Sequence, residues 1–165
     1  VKRFLLAGAA ALLLAVSAGN GWERPGTPPV PFTLKDLAGR TLRSSDLAGK
    51  VVVIDFWATW CPPCLRELPE LAEWWKRIKD RNDVVFLSFD VTDEPEPLKA
   101  FLVTRRIPYP VYLADDLQGP YGVNDFPTKL IIDMRKGKGV VRFRRSGLTA
   151  VSDIEARVAE VLATH

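Results

Sequence analysis

The stretch WCPPC holds the only two cysteines of the chain, Cys61 and Cys64, separated by Pro62 and Pro63. Two thiols at this spacing could bind metal, staple the fold, act as a nucleophile or exchange disulfides. A structural zinc takes four ligands, mostly Cys or His. Here the imidazole supply is a single residue, His165, at the end of the chain, so a zinc site would have to recruit carboxylates. A cysteine nucleophile activated by a histidine base meets the same shortage. A Cys61–Cys64 bridge closes almost no loop and so constrains the unfolded chain little, which makes a structural staple a poor reading. Dithiol–disulfide exchange needs only what is present, and no cofactor beyond the redox-active pair.

Cys61 follows the run VVVIDFWATW and is placed where a helix should begin. A helix N-terminus, with its partial positive charge and free N–H groups, favours thiolate over thiol. Cys61 is therefore the expected nucleophile, and Cys64, one turn on, the residue that resolves the mixed disulfide. Pro62 and Pro63 have no N–H, leaving the amides of Cys64 and Leu65 to face the sulfur. A less stabilised thiolate implies a more stable disulfide and a more reducing couple.

Asp55 lies within seven otherwise apolar residues, VVVIDFW, where an ionised carboxylate is costly. Two readings stand: a buried proton acceptor serving Cys64, or a carboxylate at a strand end reaching water or a loop amide. DFPT (125–128) puts Pro127 at a strand entry, and Phe126–Pro127 is a candidate cis bond that would leave the Phe126 backbone free to pair with an extended substrate. Trp60 is a candidate contact surface, whereas Trp57, Trp74 and Trp75 read as packing.

These residues need elements to hold them. VVVIDFW (51–57) and VVFLSF (84–89) read as strands buried on both faces. A helix is expected from Cys61 to about Asp80, kinked at Pro69, burying Leu65, Leu68, Ala72, Trp75 and Ile78. Further along come a helix over 98–106, a short strand at 110–113 and a hairpin of LIID (130–133) with VVRF (140–143). Ser152 and Glu155 form a capping-box pattern opening a last helix that buries Ile154, Val158 and Val161 or Leu162. Ahead of these, residues 32–42 form a hairpin and 45–49 a helical turn. Strands alternating with helices predict an α/β chain with a central mixed β-sheet flanked by helices on both faces.

Residues 1–18 have Lys2 and Arg3, an apolar run and a small-residue ending, the pattern of a secretory signal peptide. The apolar part, residues 4–18, is shorter than the roughly 20 residues of a spanning helix; an uncleaved membrane tether is the alternative. Residues 19–31 are Gly/Pro-rich and read as an extended linker, and 32–165 as one domain. Lys2 and Arg3 are two of 23 basic residues against 20 acidic, so the remainder carries about +1 and no nucleic-acid partner is expected.

The segments FTLKDLAGRTLRSSDLAGKVVVIDFWATWCPPCLRELPEL and YGVNDFPTKLIID carry a resemblance to the thioredoxin superfamily, nearest to its TlpA/ResA-like extracytoplasmic thiol–disulfide oxidoreductases. The resemblance implies a thioredoxin-like fold with an N-terminal β-hairpin extension, Cys61 as nucleophile, Cys64 as resolver, and Pro127 as a cis-proline beside the disulfide. It favours the proton-acceptor reading of Asp55. The lysine that partners this aspartate in thioredoxins is replaced by Phe86, and for a carboxylate after the next strand the nearest residues are Asp90, Asp93 and Glu94. Gly49–Trp57 also has a peroxiredoxin-related character, yet the Pro and Thr those enzymes place before their reactive Cys are not at matching positions. The implied protein is a monomer that reduces disulfides of exported proteins, including apocytochrome c, and is recharged by an integral-membrane electron donor in the periplasm. The alternatives are a disulfide-forming oxidase using the same pair, and a noncatalytic adaptor of the same fold.

Overall fold

The computed structural model describes residues 21–164, so the predicted signal segment lies outside the described residues. A two-stranded antiparallel hairpin, β1 (Thr33–Lys35) and β2 (Thr41–Arg43), is followed by a 3₁₀ turn, Ser44–Leu47. The β-branched run then forms β3 (Val51–Trp57), with all seven residues buried. In chain order come α1 (Pro62–Ile78), β4 (Val84–Asp90), α2 (Pro95–Arg105), β5 (Val111–Leu113), α3 (Asp115–Gln118), β6 (Thr128–Asp133), β7 (Val140–Ser146) and α4 (Val151–Ala163).

The main sheet has the order β5-β4-β3-β6-β7. β3, β4 and β5 run parallel, joined by helical crossovers, while β6 and β7 are antiparallel additions. Strand periodicity sends Val51, Val53 and Trp57 into one core with Leu68, Leu71 and Trp74 of α1 and Ile154 and Val158 of α4. Val52, Ile54 and Phe56 enter the opposite core with Leu117 of α3, Tyr121 and the hairpin residues Leu34 and Leu42. This is the thioredoxin-like mixed sheet with helices on both faces and an N-terminal hairpin. On the second face the helical cover is short, the 3₁₀ turn with Leu47 and the single turn of α3, and Leu34 and Leu42 of the hairpin pack against the same core.

Two element-level expectations are corrected. The buried stripe of α1 is Cys64, Glu67, Leu68, Leu71, Trp74 and Ile78, whereas Leu65, Ala72 and Trp75 are only half-buried. The stripe is rotated toward a charged residue because Glu67 has partners inside. α4 begins two residues earlier than its capping-box pattern, with Ala150 at the N-cap in place of Ser152 and no cap from the N-cap side chain. Val151 is buried at the first turn and its amide donates to Glu70 Oε1 of α1 at 3.3 Å, so tertiary partners take over the role assigned to Ser152.

Residues 22–27, within the segment read as linker, lie along the outer edge of β7. Glu23 and Arg144 exchange backbone hydrogen bonds of 2.7 and 2.9 Å, Gly26 N donates to Val141 O, and Val141 N to Thr27 O. Trp22 packs edge-on against Phe143 with centroids 6.2 Å apart. Covering the donors of an edge strand removes a template for pairing with another chain.

Candidate active site

α1 starts where the sequence reading placed it. Cys61 is its N-cap, with Pro62 and Pro63 at the first two helical positions. Proline is suited there, since those N–H groups have no intrahelical partner to lose. The two cysteines form a disulfide, with Cα atoms 5.3 Å apart. Cys64 N donates to Cys61 Sγ at 3.3 Å. The Leu65 amide, also expected to face the sulfur, donates instead to the Cys61 carbonyl at 3.1 Å, the first bond of the helix ladder. One backbone donor thus reaches Cys61 Sγ.

β3, α1 and β6 bring together a buried ionic cluster. Asp55 shares the β3 face of Val53 and Trp57, toward α1, and its register partner across the antiparallel β3–β6 pair is Lys129. Lys129 Nζ lies 2.9 Å from Asp55 Oδ1, an ion pair without hydrogen-bond alignment, and donates to Glu67 Oε2. Thr149 N donates to the other Glu67 oxygen. All three ionic side chains are at most 3 % exposed, so their charges are compensated by one another and not by water. Two carboxylates share one ammonium. Burial raises the Glu67 pKa above the usual glutamate range; Lys129 opposes this and the Asp55 charge adds to it. The Tyr109 hydroxyl, buried and without a hydrogen-bond partner among the described residues, is raised by burial and by the Asp55 and Glu67 charges.

The lysine missing at Phe86 is therefore supplied from another strand. Phe86 packs as an aromatic against Trp74 and Tyr109, while Lys129 occupies the place beside Asp55. Sequence reasoning missed Lys129 and the role of Glu67. Glu67 carried a signal, three residues beyond Cys64 on one helix face. Lys129 could be found only from the β3–β6 register.

The three carboxylates after β4 have separate fates. Asp90 is fully buried with both oxygens unpartnered among the described residues, and burial, then Asp93, pushes its pKa up to about 9. Asp93 accepts from Thr59 N and from Thr59 Oγ1, each at 2.7 Å, and so anchors the loop before Cys61. Glu94 is exposed at the α2 N-cap.

Above the disulfide, Trp60 is 59 % exposed, yet its Nε1 donates to Thr92 Oγ1 at 2.8 Å. Its ring meets Phe126 edge-to-face at 5.8 Å. Phe126–Pro127 is cis. Pro127 O accepts from Gly147 N at 2.7 Å, and the Phe126 backbone has no hydrogen-bond partner among the described residues. Trp57 is core, with Nε1 donating to Ser88 Oγ at 2.8 Å. No group of three or more His, Cys, Asp or Glu among the described residues is placed to hold a metal ion.

A thioredoxin-like sheet carrying a Cys-x-x-Cys disulfide at the N-terminus of α1 defines a thiol–disulfide oxidoreductase. The chain belongs to the AhpC/TSA family, which matches residues 25–143. It is 31% identical over 129 residues to the thioredoxin-like protein YneN of Bacillus subtilis, covering 77% of this chain and 74% of that one. It is 33% identical over 121 residues to the thiol-disulfide oxidoreductase ResA of the same organism, covering 72% and 67% respectively. A thiol:disulfide interchange protein of the thioredoxin family from Chlorobium tepidum superposes with a TM-score of 0.71 at 28% identity, over 86% of this chain and 99% of that one.

Proposed function

We propose that this protein works in the reducing direction, outside the cytoplasm, on disulfides of exported proteins. The observation that carries the direction is the single amide at Cys61 Sγ: the prolines remove two donors and the helix ladder takes a third. With little stabilisation of the thiolate, the oxidised form is favoured and the reduced pair gives up electrons readily. The location rests on residues 1–18, and the partner classes, apocytochrome c and an integral-membrane donor, on the family resemblance.

In the reaction, the Cys61 thiolate attacks one sulfur of the partner disulfide. The partner S–S bond breaks and the departing partner thiolate takes a proton from solvent. Cys64 then loses its proton and attacks Cys61 Sγ, so that the Cys61–Cys64 bond forms and the second partner thiolate leaves. Two electrons have passed to the partner. Glu67, three residues beyond Cys64 on α1 and with a pKa raised by burial, is the base this mechanism assigns to the Cys64 proton, and Asp55, which the family resemblance favours for that role, is the alternative acceptor. Asp55 holds Lys129 from the other side. Trp60, Phe126 and Pro127 form the surface against which the partner lies.

Equilibration with thiol buffers tests the direction. A potential near roughly −270 mV supports a reductase, and one near roughly −120 mV replaces it with an oxidase. Cys61→Ser tests the adaptor alternative, which requires function to persist without the nucleophile.

A further inference from the structure

Thr92 has a backbone that threonine should avoid. Its φ is +77°, in the left-handed region where a β-branched side chain is strained and glycine is at ease. Such strain persists only where surrounding contacts hold it, and it is often found where a side chain has a task. The contacts are clear. Thr92 N donates to the Asp115 carboxylate, and the next residue, Asp93, holds Thr59 through two hydrogen bonds. The hydroxyl of Thr92 is spent on one group, the indole N–H of Trp60.

Trp60 has few other restraints. It is more than half exposed, and its neighbour Phe126 is itself only half-buried. The hydrogen bond to Thr92 fixes the polar tip of the indole, and the edge contact with Phe126 fixes its face. Together they hold an aromatic platform beside the free backbone of Phe126. A ring locked before binding loses less entropy when a partner lands on it.

We infer that Thr92 is a positioning residue that sets affinity for protein disulfides by pre-orienting Trp60. This deepens the proposed function and rests on its reading of Trp60 and Phe126 as the partner surface. Thr92 does not touch the sulfurs, so it acts on docking and not on the exchange step. The ligand class is an extended peptide segment flanking a disulfide, as opposed to a small disulfide that needs only the cysteines.

The test is single-turnover oxidation of the pre-reduced protein by insulin and by oxidised glutathione, with Thr92→Gly, Thr92→Asn and Trp60→Ala. Gly relaxes the backbone and removes the acceptor; Asn tolerates the positive φ and restores a carbonyl acceptor. Thr92→Gly should raise the half-saturating insulin concentration roughly fivefold, the loss expected for one hydrogen bond. Its glutathione rate, reduction potential and denaturant midpoint should not fall, and Thr92→Asn should recover most of the insulin affinity. If Trp60→Ala weakens insulin binding but Thr92→Gly does not, the inference fails and the platform reading stands. If Trp60→Ala leaves insulin binding unchanged, both fall. An equal loss with insulin and glutathione in Thr92→Gly also overturns the inference, since it places the effect on the chemistry.

Discussion

In the proposed mechanism the proton chemistry is assigned to Glu67. Its folded pKa is raised, chiefly by burial, so the folded state holds a proton more tightly than the unfolded chain does. The stability this contributes is complete below the unfolded value near 4.5 and is lost as pH rises through the folded pKa. Urea titrations across acidic to neutral pH should show that decline in the wild type and a flatter profile in Glu67→Gln. The same variant should slow release of the mixed disulfide by about 100-fold, the lower range for a general base, while leaving Cys61 able to form it; rapid mixing with acid trapping measures both steps. Lys129→Met leaves two buried carboxylates without a counter-charge, and denaturant unfolding should show a loss of about 3–5 kcal/mol. At this scale the cysteine pair, the burial of Asp55 and the cis bond before Pro127 were legible in the sequence, since each is an odd residue in its setting. Lys129 stayed hidden because lysine in a strand is ordinary until one knows what lies across from it.

At the scale of elements, the α1 N-terminus joins architecture to redox chemistry. Pro63 occupies the second helical position, where an amide could reach the N-cap side chain. Pro63→Ala should supply that donor, lower the Cys61 pKa and shift the potential by about 30 mV in the oxidising direction. Absorbance of the thiolate against pH, together with the redox-buffer titration, checks the pair of effects. No change in either would separate direction from the amide count. The strands were readable because continuous β-branched runs leave few alternatives. The helix faces were harder: α1 buries Glu67 in place of a more apolar neighbour, and α4 starts on Val151 without a side-chain cap. In both, tertiary partners outweighed the local pattern.

For the whole molecule, the segment at 22–27 matters more than its composition suggested. Its Gly and Pro content is that of a linker, yet four backbone hydrogen bonds and the Trp22–Phe143 contact tie it to β7. A variant beginning at Pro28 should unfold at lower denaturant concentration and self-associate through the exposed β7 edge, as light scattering would reveal. A monomeric variant of unchanged midpoint would reduce the segment to a passive tail. Such docking depends on a surface that exists only once the sheet is assembled, so residues 22–27 carry no local sign of it.

The pairing of Asp55 with Lys129 also ties competence to correct assembly. Successive residues of a strand face opposite ways, so a one-residue slip of β6 against β3 would turn Lys129 into the opposite core and bring an uncharged neighbour over Asp55. Such a misassembled chain could still close its disulfide, because both cysteines lie within four residues of one helix end. It would lack the counter-charge that holds Glu67 in place. Under the proposed mechanism, oxidation of Cys61–Cys64 is therefore no certificate of a native molecule, whereas full-rate release of the mixed disulfide is, because the ammonium reaches its two carboxylates only in the native alignment.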